Sequence, residues 1–204
     1  MLNKLVFDLQ YRFSKPPWDS GVTPPEVVTL IEGGTIAPGR ALDLGCGTGL
    51  MGAAIRDRVD HLAGFDLSSG MLRVAAARGI YDRLAAGDAV TLMAAEPENS
   101  FDLVLAADLL PYVGALAPLF TAVARVLASG GAFAFSAERH DGEGFVLGEA
   151  LRYRHAPAFV AGAAAAAGLA VLAVEPVSLR RERGVPVPGL IGLTVRPAGA
   201  ASSA

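Results

Sequence analysis

From Arg40 to Val195 short apolar runs alternate with stretches of helical periodicity, and this alternation constrains the fold more than any other feature of the chain. Arg40 to Leu44, His61 to Asp66, Arg83 to Ala86, Phe101 to Ala106 and Ala132 to Ser136 read as strands. Between them lie a helix from about Leu50 to Arg58, one that Ser68 or Ser69 caps and Gly79 ends, and the series Leu116, Leu119, Phe120, Val123, Leu127, which stops at Ser129-Gly130-Gly131. Pro157 to Ala167 is a further helix, and Leu169 to Leu179 with Leu190 to Val195 are the last two strands. A strand apolar throughout, such as Phe101 to Ala106, suits a parallel sheet covered on both faces. Strands and helices in alternation, joined by right-handed crossovers, give an α/β fold with helices on both sides of a mostly parallel sheet. The final two strands have no helix between them, so the last should run antiparallel. Glu138 to Gly148 is polar and aperiodic and reads as a loop, and the charged, Pro-rich stretch Arg180 to Pro188 reads as the last connection.

A chain of 204 residues accommodates one domain. Its 17 Lys+Arg against 20 Asp+Glu give a net charge of -3, which offers no electrostatic footprint for nucleic acid or an anionic membrane. Much of the 52% apolar content is alanine, broken by charges, Gly and Pro, so no membrane-spanning segment is expected. Cys46 is the only cysteine, and Met1 to Gln10 is charged and amphipathic rather than signal-like, so the cytoplasm is the expected compartment. Lys4 and Lys15 are the only lysines in an Ala-, Gly- and Arg-rich chain, which suggests GC-rich codons and a bacterial source.

Chemistry concentrates where the first strand ends, at Asp43-Leu44-Gly45-Cys46-Gly47-Thr48-Gly49. Glycines admit left-handed backbone and let a ligand approach closely, and a helix start offers free N–H groups. Gly47-Thr48-Gly49-Leu50-Met51-Gly52 also fits the dinucleotide fingerprint G-x-G-x-x-G. Asp43 would repel a diphosphate and attract an ammonium or sulfonium, which favours a cationic ligand. Asp66, 21 residues after Gly45, is placed to accept from ribose hydroxyls, which both kinds of cofactor carry. Plainer readings stand beside these: Asp43 and Asp66 as helix caps, Met71 as core packing, Cys46 as a small loop side chain.

On these residues the chain resembles the class I S-adenosylmethionine-dependent methyltransferases, over about Arg40 to Val195. The resemblance implies a Rossmann-like, seven-stranded sheet with an antiparallel last strand. It also implies that Asp43, Gly45, Cys46, Gly47 and Gly49 hold the amino-acid end of S-adenosylmethionine, and Asp66 with Leu67 the ribose. Gly87-Asp88-Ala89 and Met71 would meet the adenine, with Ala106 and Asp108 facing the site from the fourth-strand motif. Pro16-Pro17-Trp18-Asp19-Ser20-Gly21 is similar to the lead-in of many small bacterial methyltransferases. Arg152-Tyr153-Arg154-His155 and the stretch from Leu179 to Leu190 resemble the ends of bacterial predicted methyltransferases sometimes fused to tetratricopeptide repeats.

Several acceptors are disfavoured. Asp108-Leu109-Leu110-Pro111-Tyr112 lacks the double proline of adenine- and glutamine-amino methyltransferases, Cys46 lies in the cofactor loop rather than at a nucleophile position, and no cluster shows metal-ligand spacing. A small-molecule acceptor remains, roofed by Tyr11, Arg12, Trp18, Tyr112, Glu138, Arg139 and His140. Tyr112 and His140 are the candidate catalytic residues, His140 as a base because a neutral imidazole takes a proton near pH 7. A merely solvated loop histidine is the plainer reading of His140, and His155 reads as structural. The expected organisation is a helical cap segment over 1–39, the methyltransferase domain over 40–196 and a tail over 197–204, with no room for a separate substrate domain. Two other classes stay open: S-adenosylmethionine binding without methyl transfer, as a pericyclic catalyst or regulatory module, and an NAD(P)-dependent oxidoreductase.

Overall fold

The structure is a computed structural model that describes residues 39–148, 150–182 and 184–198. Strand β1 (Arg40–Leu44) lies between β2 (His61–Asp66) and β4 (Phe101–Ala106), parallel to both. On one side β3 (Arg83–Ala86) continues from β2, and on the other β5 (Leu127–Arg139) continues from β4, again in parallel. Beyond β5 come β9 (Val185–Val195) and β8 (Ala170–Glu182), a long antiparallel hairpin whose β9 also runs antiparallel to β5. These seven strands take the order β3-β2-β1-β4-β5-β9-β8, the mostly parallel sheet with an antiparallel last strand that the sequence implies.

Two short strands are added where a loop is expected. β6 (Phe145–Leu147) and β7 (Tyr153–His155) form a hairpin, and β7 pairs in parallel with the end of β5 through Glu138↔Arg154 and Arg139↔His155. The last partner of β4 on β5 is Phe135, while β9 holds the other edge of β5 as far as Glu138↔Gly189. β7 therefore fills the lane that β4 leaves, directly beyond its carboxyl end. The connection expected from Arg180 to Pro188 is likewise mostly strand. Pro186 and Pro188 are two residues apart, so their missing N–H groups fall on one edge, and that edge lies beyond Gly189, where β5 no longer pairs.

Alternation along the strands sorts the core into two faces. Leu42, Leu44, Phe65, Val104, Phe133 and Phe135 pack beneath α3 (Ala89–Ala94), α4 (Ala117–Val126) and α5 (Pro157–Ala166) through Met93, Phe120 and Val160. Phe120 meets Phe133 edge-on at 5.3 Å, and each such buried ring contributes about 2–3 kcal/mol. The opposite face joins Ala41, Leu103, Leu105, Ala134, Ile191 and Leu193 to Met51 and Ile55 of α1 (Leu50–Ile55). Helix α2 (Ser69–Ala77) follows β2, its first turn capped by the Ser68 hydroxyl, which accepts the Met71 N–H at 3.2 Å. None of the described helices is long and apolar enough to cross a membrane. The expected N-terminal cap, with Tyr11, Arg12 and Trp18, lies outside the described residues.

Candidate active site

Because the sheet is parallel, the carboxyl ends of β1, β2 and β4 open on one side, and the glycine loop crosses them. Gly45, Gly47 and Gly49 have φ of 66°, 54° and 84°, left-handed values that a side chain would strain. The N–H groups of Gly45 and Cys46 both donate to the Phe65 carbonyl, at 2.8 and 3.1 Å. The Gly47 N–H donates to Asp66 Oδ2 at 2.9 Å, and Asp66 Oδ1 accepts the Ser68 N–H at 2.7 Å. Asp66 thus ties the β1 and β2 loops together. A Cβ on Gly47 would stand 3.7 Å from Met71 Sδ, so the bare glycine leaves a slot bounded by that thioether.

Under the loop sits Tyr81, which the sequence does not single out. Its hydroxyl donates to Asp43 Oδ2 at 2.7 Å, and its ring occupies space that Cβ atoms on Gly49, Gly52 and Gly64 would invade. Gly52, the third glycine of the dinucleotide fingerprint, is accounted for by this ring and not by a diphosphate. Strand alternation turns Asp43 to the side of Ala41, where it is 1% exposed. Asp43 thus supports the loop from beneath, through the Tyr81 hydroxyl. Burial first, with the nearby Asp66 charge adding, raises its pKa to about 7, against the lowering effect of the Tyr81 hydrogen bond. Cys46 is buried too, and burial followed by the charges of Asp43 and Asp66 pushes its thiol far up, so it stays protonated.

At the ends of β4 and β5 the site is made of side chains. Arg152 donates through Nε to Glu138 Oε1 at 2.5 Å, through Nη1 to the Tyr112 hydroxyl at 2.5 Å and through Nη2 to Asp108 Oδ1 at 2.6 Å. Its guanidinium also lies 4.8 Å from the centre of the Tyr112 ring. Arg180 adds a 2.6 Å bond to the same Glu138 oxygen. Burial opposes the charge of Glu138, but the Arg180 and Arg152 hydrogen bonds prevail and hold its carboxyl below the usual range. Burial instead pushes Asp108 upward against the pull of Arg152, and raises Tyr112 to about 12.

Residues 42–135 match the methyltransferase domain family. Over just under half of its length the chain is thus similar to a methyltransferase domain. A probable thiol methyltransferase of Arabidopsis thaliana is 42% identical over 52 residues, 26% of this chain and 23% of its own length, so the match spans about a quarter of that relative. Among solved structures, the 1,6-didemethyltoxoflavin N1-methyltransferase of Burkholderia thailandensis superposes with a TM-score of 0.77 at 18% identity, covering 96% of this chain and 88% of its own. The [4+2]-cyclase SpnF gives 0.69 at 21% identity, covering 85% of this chain and 81% of its own. At such identities both show the fold.

Among the described residues the remaining expected ones separate. Asp88 caps α3 through Oδ1, which accepts the Thr91 N–H at 2.9 Å and the Thr91 hydroxyl at 3.0 Å, while Ala89 opens that helix and Gly87 donates to the Asp66 carbonyl. Leu67 is exposed at the β2 loop. Ala106 does not face the site: alternation puts its side chain with Val104 in the core. Arg139 points away from Glu138, its neighbour on the strand, and pairs with Asp141 at 2.6 Å. His140 spends both ring nitrogens on its own turn, with Nδ1 accepting the Gly142 N–H at 3.0 Å and Nε2 facing the Gly144 carbonyl at 3.2 Å. Tyr112, raised to about 12, keeps its proton at neutral pH, and its hydroxyl accepts from Arg152. His155, fully buried, directs Nε2 to the Val113 carbonyl at 2.8 Å, and burial lowers its pKa, the structural role expected of it. Sequence reasoning misses Arg152, Arg180 and Tyr81 as site residues. The period-two alternation Arg152-Tyr153-Arg154-His155 is the signal that marks β7 and its arginine face.

Proposed function

We propose that the protein transfers a methyl group from S-adenosylmethionine to a small-molecule acceptor by direct in-line substitution. When bound, that cofactor supplies a methyl already activated on a sulfonium, so the chain is left chiefly to orient the partners, an effect that can provide about 7–11 kcal/mol. The glycine loop, Asp66 and Met71 would hold the cofactor. Asp108, raised in pKa and half-exposed, is the group suited to accept an acceptor's N–H or O–H and take its proton. The observation that carries the reading is Arg152, which joins Asp108, Tyr112 and Glu138 into one rigid floor beyond the end of β4. Two similar proteins are named for acceptors of this size, a thiol and 1,6-didemethyltoxoflavin.

Calorimetry with S-adenosylhomocysteine and with NAD(P) tests the cofactor half, and only the former should bind. Release of S-adenosylhomocysteine across a panel of amines, phenols and thiols tests transfer. The likeness to a [4+2]-cyclase supports the second reading, a domain that binds the cofactor without methylating. Tight binding with no product across the panel would establish that one instead.

A further inference from the structure

We propose that Arg154 anchors an anionic group of the acceptor, so that the molecules this site takes carry a hydrogen-bond donor at the reacting end and a carboxylate or similar oxyanion at the other. The proposal rests on the acceptor site described under Proposed function and names the class of molecule it admits.

Three guanidinium groups converge on the buried Glu138. Arg152 and Arg180 reach the same oxygen, Oε1, at 2.5 and 2.6 Å, whereas Arg154 Nε stands 3.7 Å from Oε2, too far for a hydrogen bond. The first two are bound elsewhere as well, Arg152 to Asp108 at 2.6 Å and Arg180 to Glu182 at 2.6 Å. Side-chain exposure rises in the same order, 12% for Arg152, 25% for Arg180 and 51% for Arg154. Among the described residues, then, Arg154 is the arginine of this cluster whose donors are uncommitted.

Its position gives the anchor a direction. Arg154 lies opposite Glu138 in the β5–β7 register, so the two side chains share a face, in the lane beyond the end of β4. Asp108, 53% exposed, marks the near end of a row that runs through Arg152 and Glu138 to Arg154. An open carboxylate at one end and an open guanidinium at the other, with a closed ion pair between, fit a molecule of the reverse polarity. A planar oxyanion matches the guanidinium fork with two hydrogen bonds, which a neutral amide cannot do and a cation would oppose.

The test is titration of benzoate and of benzamide, its neutral isostere, into the protein saturated with S-adenosylhomocysteine, in low salt. Benzoate should bind roughly tenfold tighter than benzamide, Arg154→Gln should abolish that preference, and Arg154→Lys should restore part of it. Affinity for S-adenosylhomocysteine should stay unchanged in both variants, which shows that they fold. Equal binding of acid and amide, absence of benzoate binding, or a preference that survives Arg154→Gln overturns the proposal. Failure of S-adenosylhomocysteine to bind would instead sink the cofactor reading, and the benzoate comparison on the protein alone would still decide Arg154.

Discussion

At the end of β1 the site is built of backbone: three left-handed glycines, N–H groups gathered by the Phe65 carbonyl and Asp66, and a tyrosine ring filling the space beneath. At the ends of β4 and β5 it is built of charged side chains that hold one another, with Arg152 at the centre. A backbone-built half can bind only what fits its peptide groups, and nearly every substitution disturbs it. A half made of side chains can be retuned one residue at a time, which suits the place where a substrate is chosen. Variants in the first half should therefore cost stability and cofactor together, and variants in the second should cost turnover with the cofactor still bound.

The strongest break of this division is Gly52→Ala. Its Cβ would overlap the Tyr81 hydroxyl, and the ring, hemmed in also at Gly49 and Gly64, has nowhere to move without uncovering Asp43. Overpacking of this kind costs about 1–3 kcal/mol, and we expect the upper end, with affinity for S-adenosylhomocysteine lost in parallel. Urea unfolding and calorimetry measure the two, and a stable variant that still binds would show that Tyr81 does not brace the loop. Next comes Glu138→Gln, which strips the charge from beneath Arg152 and Arg180. Removing one member of a buried pair costs about 3–5 kcal/mol, reduced to about 2 here because both arginines keep a second carboxylate. Turnover should fall while S-adenosylhomocysteine affinity holds.

Arg152→Lys preserves the charge but not the fork. An ammonium cannot reach Glu138, Tyr112 and Asp108 at once, so kcat/KM should drop by about 10²-fold with little change in stability. Loss of cofactor affinity in this variant would erase the distinction between the halves.

How the two halves appear in the sequence follows from the same contrast. The glycine loop, the strands β1 to β4 and the Ser68 cap depend on neighbours a few residues away, so residue type and spacing reveal them. Tyr81 does not stand out, because its partners Asp43 and Gly52 are 38 and 29 residues distant and only the sheet brings them under it. Arg152 and Arg180 are hidden for the same reason, lying 44 and 42 residues from the carboxylates they meet at Asp108 and Glu138. Asp43 is legible as an acidic residue at a strand end, but which way it points is decided by alternation against Ala41 and by the tyrosine waiting there.

Asp43 also gives the stability of the first half a dependence on pH. Its carboxyl titrates near 7 in the fold against an ordinary 3.8, so between these values the native state keeps a proton that the unfolded chain has released. Stability must then fall as pH rises from about 4 to about 7 and level off above. Asparagine cannot ionise, so the Tm of Asp43→Asn relative to the wild type should climb by several degrees from pH 5 to pH 8. Parallel traces would mean that the carboxyl is not sealed beneath Tyr81.

The smallest effect belongs to the residue that sequence reasoning makes the base. His140 sits one position beyond Arg139, close in sequence to Glu138, yet its ring closes the turn over Gly142 and Gly144. A lone pair already accepting the Gly142 N–H cannot take a proton from an acceptor without breaking that turn. His140→Ala should loosen the loop, cost about 1 kcal/mol for the lost hydrogen bonds, and leave both kcat and the pH profile nearly unchanged. Asp108→Asn should remove the ascending limb of that profile instead, since the raised carboxyl is the group placed to titrate in the acceptor half. A profile that flattens in His140→Ala and persists in Asp108→Asn would return the proton-accepting role to the imidazole and move the reacting centre from the end of β4 toward the β6–β7 hairpin.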